Sequence, residues 1–205
     1  MGNFTQHDLI ANNIPFVHSF IIDESVCDGL INYHNESPYK QAGVVGSVSK
    51  TGLQINTSVK VSTDVGVHID DEDKRISFYK KHLFAGVDDY KKRYPALDDK
   101  IWLWGVTEVF NIQHYEPGQG YFSWHCERAQ PKSNNRLLAF MTYLNDVDDG
   151  GKTEWEYLGL SVAPVKGLTV IWPADWMYLH RGVTSQTQSK TIATGWFSFL
   201  EQNAS

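Results

Sequence analysis

Residues 104–127 read WGVTEVFNIQHYEPGQGYFSWHCE, and the texture of this stretch decides the fold. Short runs dense in Val, Ile, Phe, Tyr and Trp alternate with polar residues and break at Pro117-Gly118-Gln119-Gly120. Period-two alternation with β-branched and aromatic residues is the signature of half-buried strands. The same texture continues to the C-terminus. Strands are expected near 104–116, 121–127, 137–145, 152–157, 160–163, 167–172, 177–183 and 190–200, with further turns at Asp148-Asp149-Gly150-Gly151 and Val165-Lys166-Gly167. Many short strands at this spacing predict a sandwich or barrel.

Upstream of residue 100 the period changes. A short strand is expected over Pro15–Ile22, then a helix capped by Asp23 or Ser25 and running to about Tyr33 or Asn35. Residues 36–56 read as a loop with at most a weak strand, and Ser58–Asp64 (SVKVSTD) as a strand. Ile76, Tyr79, His82, Leu83, Val87 and Tyr90 recur at helical spacing, so a second helix is predicted over Arg75–Tyr94, closed by Pro95. Residues 1–13 are polar and expected to be peripheral. The expected fold class is α+β, mainly β with flanking helices. It is read as one domain over 1–205, with helical support over about 1–100 and a β core over about 101–200.

Composition narrows the function classes. The chain has 205 residues, 41% hydrophobic and 20% charged, with a net charge of −6. Nucleic-acid binding usually needs a basic stripe. The densest basic cluster, Lys80, Lys81, Lys91, Lys92 and Arg93, is interleaved with Asp88 and Asp89, as on a solvated helix face. The two cysteines, Cys27 and Cys126, lie far apart and suggest no disulfide framework. The first ten residues lack the basic and apolar segments of a signal peptide, and no apolar run approaches a membrane span. A soluble cytoplasmic protein without nucleic-acid or membrane partners is the expectation.

Three residues are candidate metal ligands. On a strand, His125 and Glu127 face one side and Cys126 the other. His180 ends the apolar run Ile171–Leu179. Two imidazoles and one carboxylate form the donor set of a non-haem Fe(II) centre, which leaves three coordination positions open. Ten residues after His180, Lys190 starts the strand KTIATGWFSFL and shares a face with Ile192, Thr194 and Trp196. A lysine on the buried face needs an anionic partner. No acid of the chain is an obvious candidate, whereas a bound dicarboxylate would serve. Asn111 and Gln113, on the strand face of Tyr115, are candidate pocket groups, as are Trp172, Trp176, Tyr178 and Arg181.

The ordered set Tyr115, Gly118, Gly120, His125-Cys126-Glu127, Arg136, Tyr143-Leu144-Asn145, Gly150-Gly151-Lys152-Thr153, His180, Lys190 and Trp196 resembles the prolyl 4-hydroxylase branch of the Fe(II)/2-oxoglutarate-dependent dioxygenases. The resemblance implies a double-stranded β-helix, or jelly-roll, core. It implies Fe(II) on His125, Glu127 and His180, with 2-oxoglutarate as co-substrate against Lys190, Tyr115 and Tyr143. Dioxygen as reactant and ascorbate as reductant are implied as well. Trp196, Trp172, Arg181, Asn111 and Gln113 become candidate substrate-pocket residues. The implied activity is hydroxylation of a prolyl residue in a peptide or protein. The same chemistry on a free amino acid or small metabolite, and a non-catalytic jelly-roll binding module, are the alternative readings. One departure stands out: the family usually carries aspartate where this chain has Glu127, which keeps the charge and adds a methylene.

Overall fold

In the computed structural model, the described residues are 13–46, 53–99 and 103–200. Residues 1–12 of the expected peripheral segment 1–13, and the middle of the expected loop, 47–52, lie outside them. In chain order the elements are β1 (His18–Ile21), α1 (Glu24–Glu36), β2 (Gln41–Ala42), β3 (Val45–Gly46), β4 (Leu53–Gln54), β5 (Lys60–Val61), β6 (Thr63–Val67) and α2 (Lys74–Arg93). Then come β7 (Trp104–Gly105), β8 (Phe110–Tyr115), β9 (Gly120–Tyr121), β10 (Arg136–Tyr143), β11 (Thr153–Trp155), β12 (Leu160–Val162), β13 (Leu168–Pro173), β14 (His180–Gly182) and β15 (Lys190–Phe199).

The first helix begins at its expected cap, Asp23, and the second is capped by Asp73. Asp23 accepts a hydrogen bond from Ser25 N at 2.8 Å, and Asp73 accepts one from Arg75 N at 2.8 Å. Lys91, Lys92 and Arg93 close α2 at the negative end of its dipole, and Pro95 starts the 3-10 turn that follows.

The strands form a jelly roll of antiparallel sheets. The major sheet runs β1-β13-β10-β15-β8-β6-β2, with β7 paired to β15. Facing it are β12-β11-β14 and the pair β5-β9, and His125, in the segment after β9, bridges to His180 at the start of β14. One core lies between the major sheet and the helices and holds Leu30, Ile76, Tyr79, Leu83, Phe110, Phe140 and Phe197. It is closely packed: a Cβ on Gly195 would sit 2.6 Å from Phe110 Cβ and 2.7 Å from Phe140 Cζ. A buried polar chain stitches helix to sheet, Tyr79 Oη to Thr142 Oγ1 at 3.0 Å and Thr142 to Thr169 at 2.8 Å. The second core, between the sheets, holds Tyr115, Tyr143, Trp155, Val170 and Trp172.

Several expected strands are shorter than their periodicity suggests. The run 104–116 divides into β7 and β8, and Ser58–Asp64 becomes β5 and a β6 that continues to Val67. Residues 121–127 do not form one strand. Phe122 N donates to Val59 O, His125 exchanges both backbone bonds with His180, and Arg128 N donates to Ala174 O. The segment and the residue just after it are thus held at three separate points of the chain instead of laddering along one strand. Around His180 a 3-10 turn, Trp176–Tyr178, replaces the first half of the expected strand 177–183.

Candidate metal centre

Although His125 and Glu127 do not share a regular strand, they still converge with His180. The ligand atoms of the three residues all lie within 4.8 Å of one another. Glu127 Oε1 is 3.2 Å from His180 Nε2 and 3.8 Å from His125 Nε2. Each imidazole is oriented by a carbonyl two residues upstream. His125 Nδ1 lies 3.0 Å from Ser123 O, and His180 Nδ1 lies 2.9 Å from Tyr178 O. A carbonyl only accepts, so both Nδ1 atoms carry the proton and both Nε2 atoms present lone pairs to the shared point. Two lone pairs facing a carboxylate oxygen repel one another unless a cation sits among them, so the donor set fits a metal ion.

The electrostatics of His125 and Glu127 agree. Burial and the neighbouring His180 push the His125 imidazole down to about 4, which keeps it a neutral donor. Burial alone would raise the Glu127 carboxyl, but the groups around it, the Arg136 cation among them, outweigh burial and hold it at about 2. The rings around the site stiffen it. Tyr121 stacks on His125 with centroids 3.7 Å apart and planes 5° apart, and Trp172 meets His180 edge-on at 5.1 Å.

A cavity of about 920 Å³ opens onto this point and reaches Lys190 on one side and Gln41, His68 and Lys132 on the other. Lys190 is 6% exposed. Its Nζ donates to Gly151 O at 2.9 Å and lies 5.1 Å from the centroid of Tyr115. Gly151 aims that carbonyl from a left-handed turn, φ +66°, which favours glycine. Among the described residues no carboxylate is within ion-pair distance of Lys190, and burial pushes the ammonium down to about 8. A buried cation that donates to a carbonyl and meets no acid fits an anionic ligand.

The remaining expected residues divide. Tyr115, Asn111, Gln113, Trp172, Arg181 and Trp196 all line the cavity. Tyr115 Oη donates to Gln113 Oε1 at 2.6 Å, and Arg181 pairs with Glu154 at 3.1 Å while lying over Trp124. Trp196 Nε1 donates to Glu127 Oε2. Tyr143 lies behind the wall, its hydroxyl engaged by Thr153 Oγ1 at 2.7 Å and Val162 O at 3.1 Å. Trp176 is 65% exposed, and the Tyr178 hydroxyl donates to Pro15 O, so neither faces the cavity.

Sequence reasoning passed over three groups. One is Tyr121. Another is Arg136, quoted in the motif but given no role. The third is the buried pair of Lys60 and Asp64, 2.6 Å apart with side chains 3% and 5% exposed. Lys60, Ser62 and Asp64 alternate along SVKVSTD, and that period-two pattern of polar residues was the available signal.

Comparison with known proteins agrees with this geometry. The sequence model of the 2OG-Fe(II) oxygenase superfamily matches residues 110–198. The probable prolyl 4-hydroxylase 9 of Arabidopsis thaliana is 29% identical over 121 residues, 46% of this chain and 42% of that protein. The prolyl 4-hydroxylase subunit alpha-3 of Homo sapiens is 33% identical over 173 residues, 78% of this chain and 29% of that protein. The chain therefore spans less than half the length of these curated relatives. The viral collagen prolyl hydroxylase of Paramecium Bursaria Chlorella virus-1 superposes with a TM-score of 0.65 at 20% identity, covering 93% of this chain and 99% of that one. A Trichoplax adhaerens prolyl hydroxylase, solved with a hypoxia inducible factor peptide, gives 0.66 at 14% identity, covering 94% and 89%. At those identities the structural likeness is one of fold. Residues 110–198 are thus similar in sequence to the 2OG-Fe(II) oxygenase superfamily, and the described fold is similar to that of prolyl hydroxylases.

Proposed function

We propose that the protein is a 2-oxoglutarate-dependent Fe(II) dioxygenase that hydroxylates a prolyl residue in a peptide or protein. One observation carries this reading: two Nε2 lone pairs and Glu127 Oε1 meet in a cavity that also holds Lys190, a buried cation with no acidic partner among the described residues. His125, Glu127 and His180 would hold the iron. Iron with 2-oxoglutarate and dioxygen supplies the oxidising power that converts C–H to C–OH, releasing succinate and carbon dioxide. Ascorbate is the proposed auxiliary reductant.

The chain's own residues bind, orient and exclude water. Lys190 neutralises the distal carboxylate of the co-substrate, and Tyr115, fixed by Gln113, packs beside that end. Tyr143 supports this wall from behind through its bond to Thr153, which lines the cavity. Trp155 and Trp172, crossed edge-on at 5.3 Å, keep water from the back of His180. The volume of the cavity and its extension past Asn111 to Gln41 and His68 leave room beyond a small dicarboxylate, which supports an extended substrate.

No helix of the described residues is long and apolar enough to cross a membrane. Both cysteines are free thiols, which supports a reducing, cytoplasmic setting.

The test is an anaerobic titration with Fe(II) and 2-oxoglutarate. It follows the visible charge-transfer band of the chelate and then measures succinate release in air with proline-containing peptides. A band with peptide-dependent succinate supports the hydroxylase. A band with succinate that responds only to free amino acids moves the substrate to a metabolite. Absence of the band removes the enzyme reading.

A further inference from the structure

Glu127 is restrained on the side away from the histidines. Trp196 Nε1 donates to its Oε2 at 2.6 Å, while Oε1 alone faces the imidazoles. The indole is itself held. The Arg136 guanidinium lies over it, 3.4 Å from the ring centroid, and Arg136 Nη1 donates to Glu127 O at 3.1 Å. Arg136 is fixed in turn by a two-pronged pair with Glu108, Nε to Oε1 at 2.8 Å and Nη2 to Oε2 at 2.6 Å. Ser198 Oγ donates to Glu108 Oε1 at 3.4 Å and ends the chain of contacts on β15.

Glutamate has one more rotatable bond than aspartate, so a carboxylate at this position needs more to hold it still. A charge-assisted bond on Oε2 removes that freedom and leaves a single oxygen for the metal. We propose that Trp196, backed by Arg136 and Glu108, is a positioning residue that makes the longer Glu127 a one-oxygen ligand. The proposal rests on His125, Glu127 and His180 being the metal site. It makes Glu127 and Trp196 a coupled pair. Aspartate, one methylene shorter, reaches less far from the same backbone toward the imidazole nitrogens and the indole together.

The test is the affinity of the whole chain for Co(II) alone, by competition with a chelator, in wild type, Trp196→Phe, Glu127→Asp and the double variant. Loss of the indole N–H is expected to weaken Co(II) binding about 10- to 100-fold when Glu127 is present. In the Glu127→Asp background the same loss is expected to change binding by less than about threefold. Wild-type affinity in Trp196→Phe, or an equal loss in both backgrounds, overturns the coupling and leaves the indole a packing group. A wild-type chain that takes up no Co(II) overturns the metal-site reading and the proposal with it. If Trp196→Phe does not fold, Glu108→Gln loosens Arg136 from outside the core. It is expected to weaken Co(II) binding in the same direction, and only when Glu127 is present. No change with Glu108→Gln then overturns the proposal.

Discussion

The two faces of the major sheet are made by the same strands and do opposite work. On β8, Phe110 and Ile112 enter the core under the helices, while Asn111, Gln113 and Tyr115 line the cavity. On β15, Ala193 and Phe197 enter that core, while Lys190, Ile192, Thr194 and Trp196 line the cavity. The helix side is filled to the point where Gly195 has no room for a methyl group. The cavity side holds buried charge and open volume. Close packing resists change through lost contacts, whereas a polar cavity stores binding energy for a ligand. Substitutions on the two faces should therefore register in different measurements.

The largest expected effect is on the cavity side. His180→Ala removes a candidate ligand and should lower Co(II) affinity by more than the roughly 100-fold ceiling typical of outer-sphere changes. Its thermal midpoint should stay close to wild type, and unfolding of the variant would break the division between the faces. Next comes the helix side. Phe140→Ala is expected to cost about 3–5 kcal/mol in urea unfolding, while the folded protein keeps its Co(II) affinity. A parallel loss of metal binding would show that the faces are not separable.

Lys190→Met should raise the dissociation constant for 2-oxoglutarate on the order of 100-fold, or about 2.7 kcal/mol. It should leave Co(II) affinity unchanged and the ligand-free protein no less stable, because an unpaired buried charge has gone. Unchanged 2-oxoglutarate affinity would remove Lys190 from the co-substrate site. The smallest effect is in pH. Lys190 loses its proton near pH 8 in the free protein, and a bound dianion requires the protonated form. The dissociation constant should be flat below pH 8 and rise by about tenfold for each unit above it. Titrations between pH 7 and 9.5 check this, and a flat profile throughout would sink the charge pairing.

Some of this was legible because it is local. The cap at Asp23 marks the first helix, and the helical period through Ile76, Tyr79, Leu83, Val87 and Tyr90 marks the second within a turn. Alternation along β8 and β15 separates core-facing from cavity-facing residues before any tertiary contact is known. The expected continuous strand at 121–127 failed because alternation describes a segment alone, and Val59, His180 and Ala174 capture this one separately. Arg136 and Tyr121 were overlooked for the same reason: a guanidinium over an indole and a phenol stacked on an imidazole join residues whose partners pairing alone reveals.

The linear pattern was thus enough for the class of fold and for the order of the residues that converge, His125, Glu127, His180, then Lys190. These follow from side-chain chemistry and short-range period, which belong to the chain. Only the tertiary structure decided that both imidazoles turn Nε2 to one point and that Lys190 is buried away from every described acid. It alone also set one oxygen of Glu127 against Trp196. Those are matters of register and distance between strands far apart in the chain, and nothing in a linear pattern specifies which of two carboxylate oxygens meets an indole N–H.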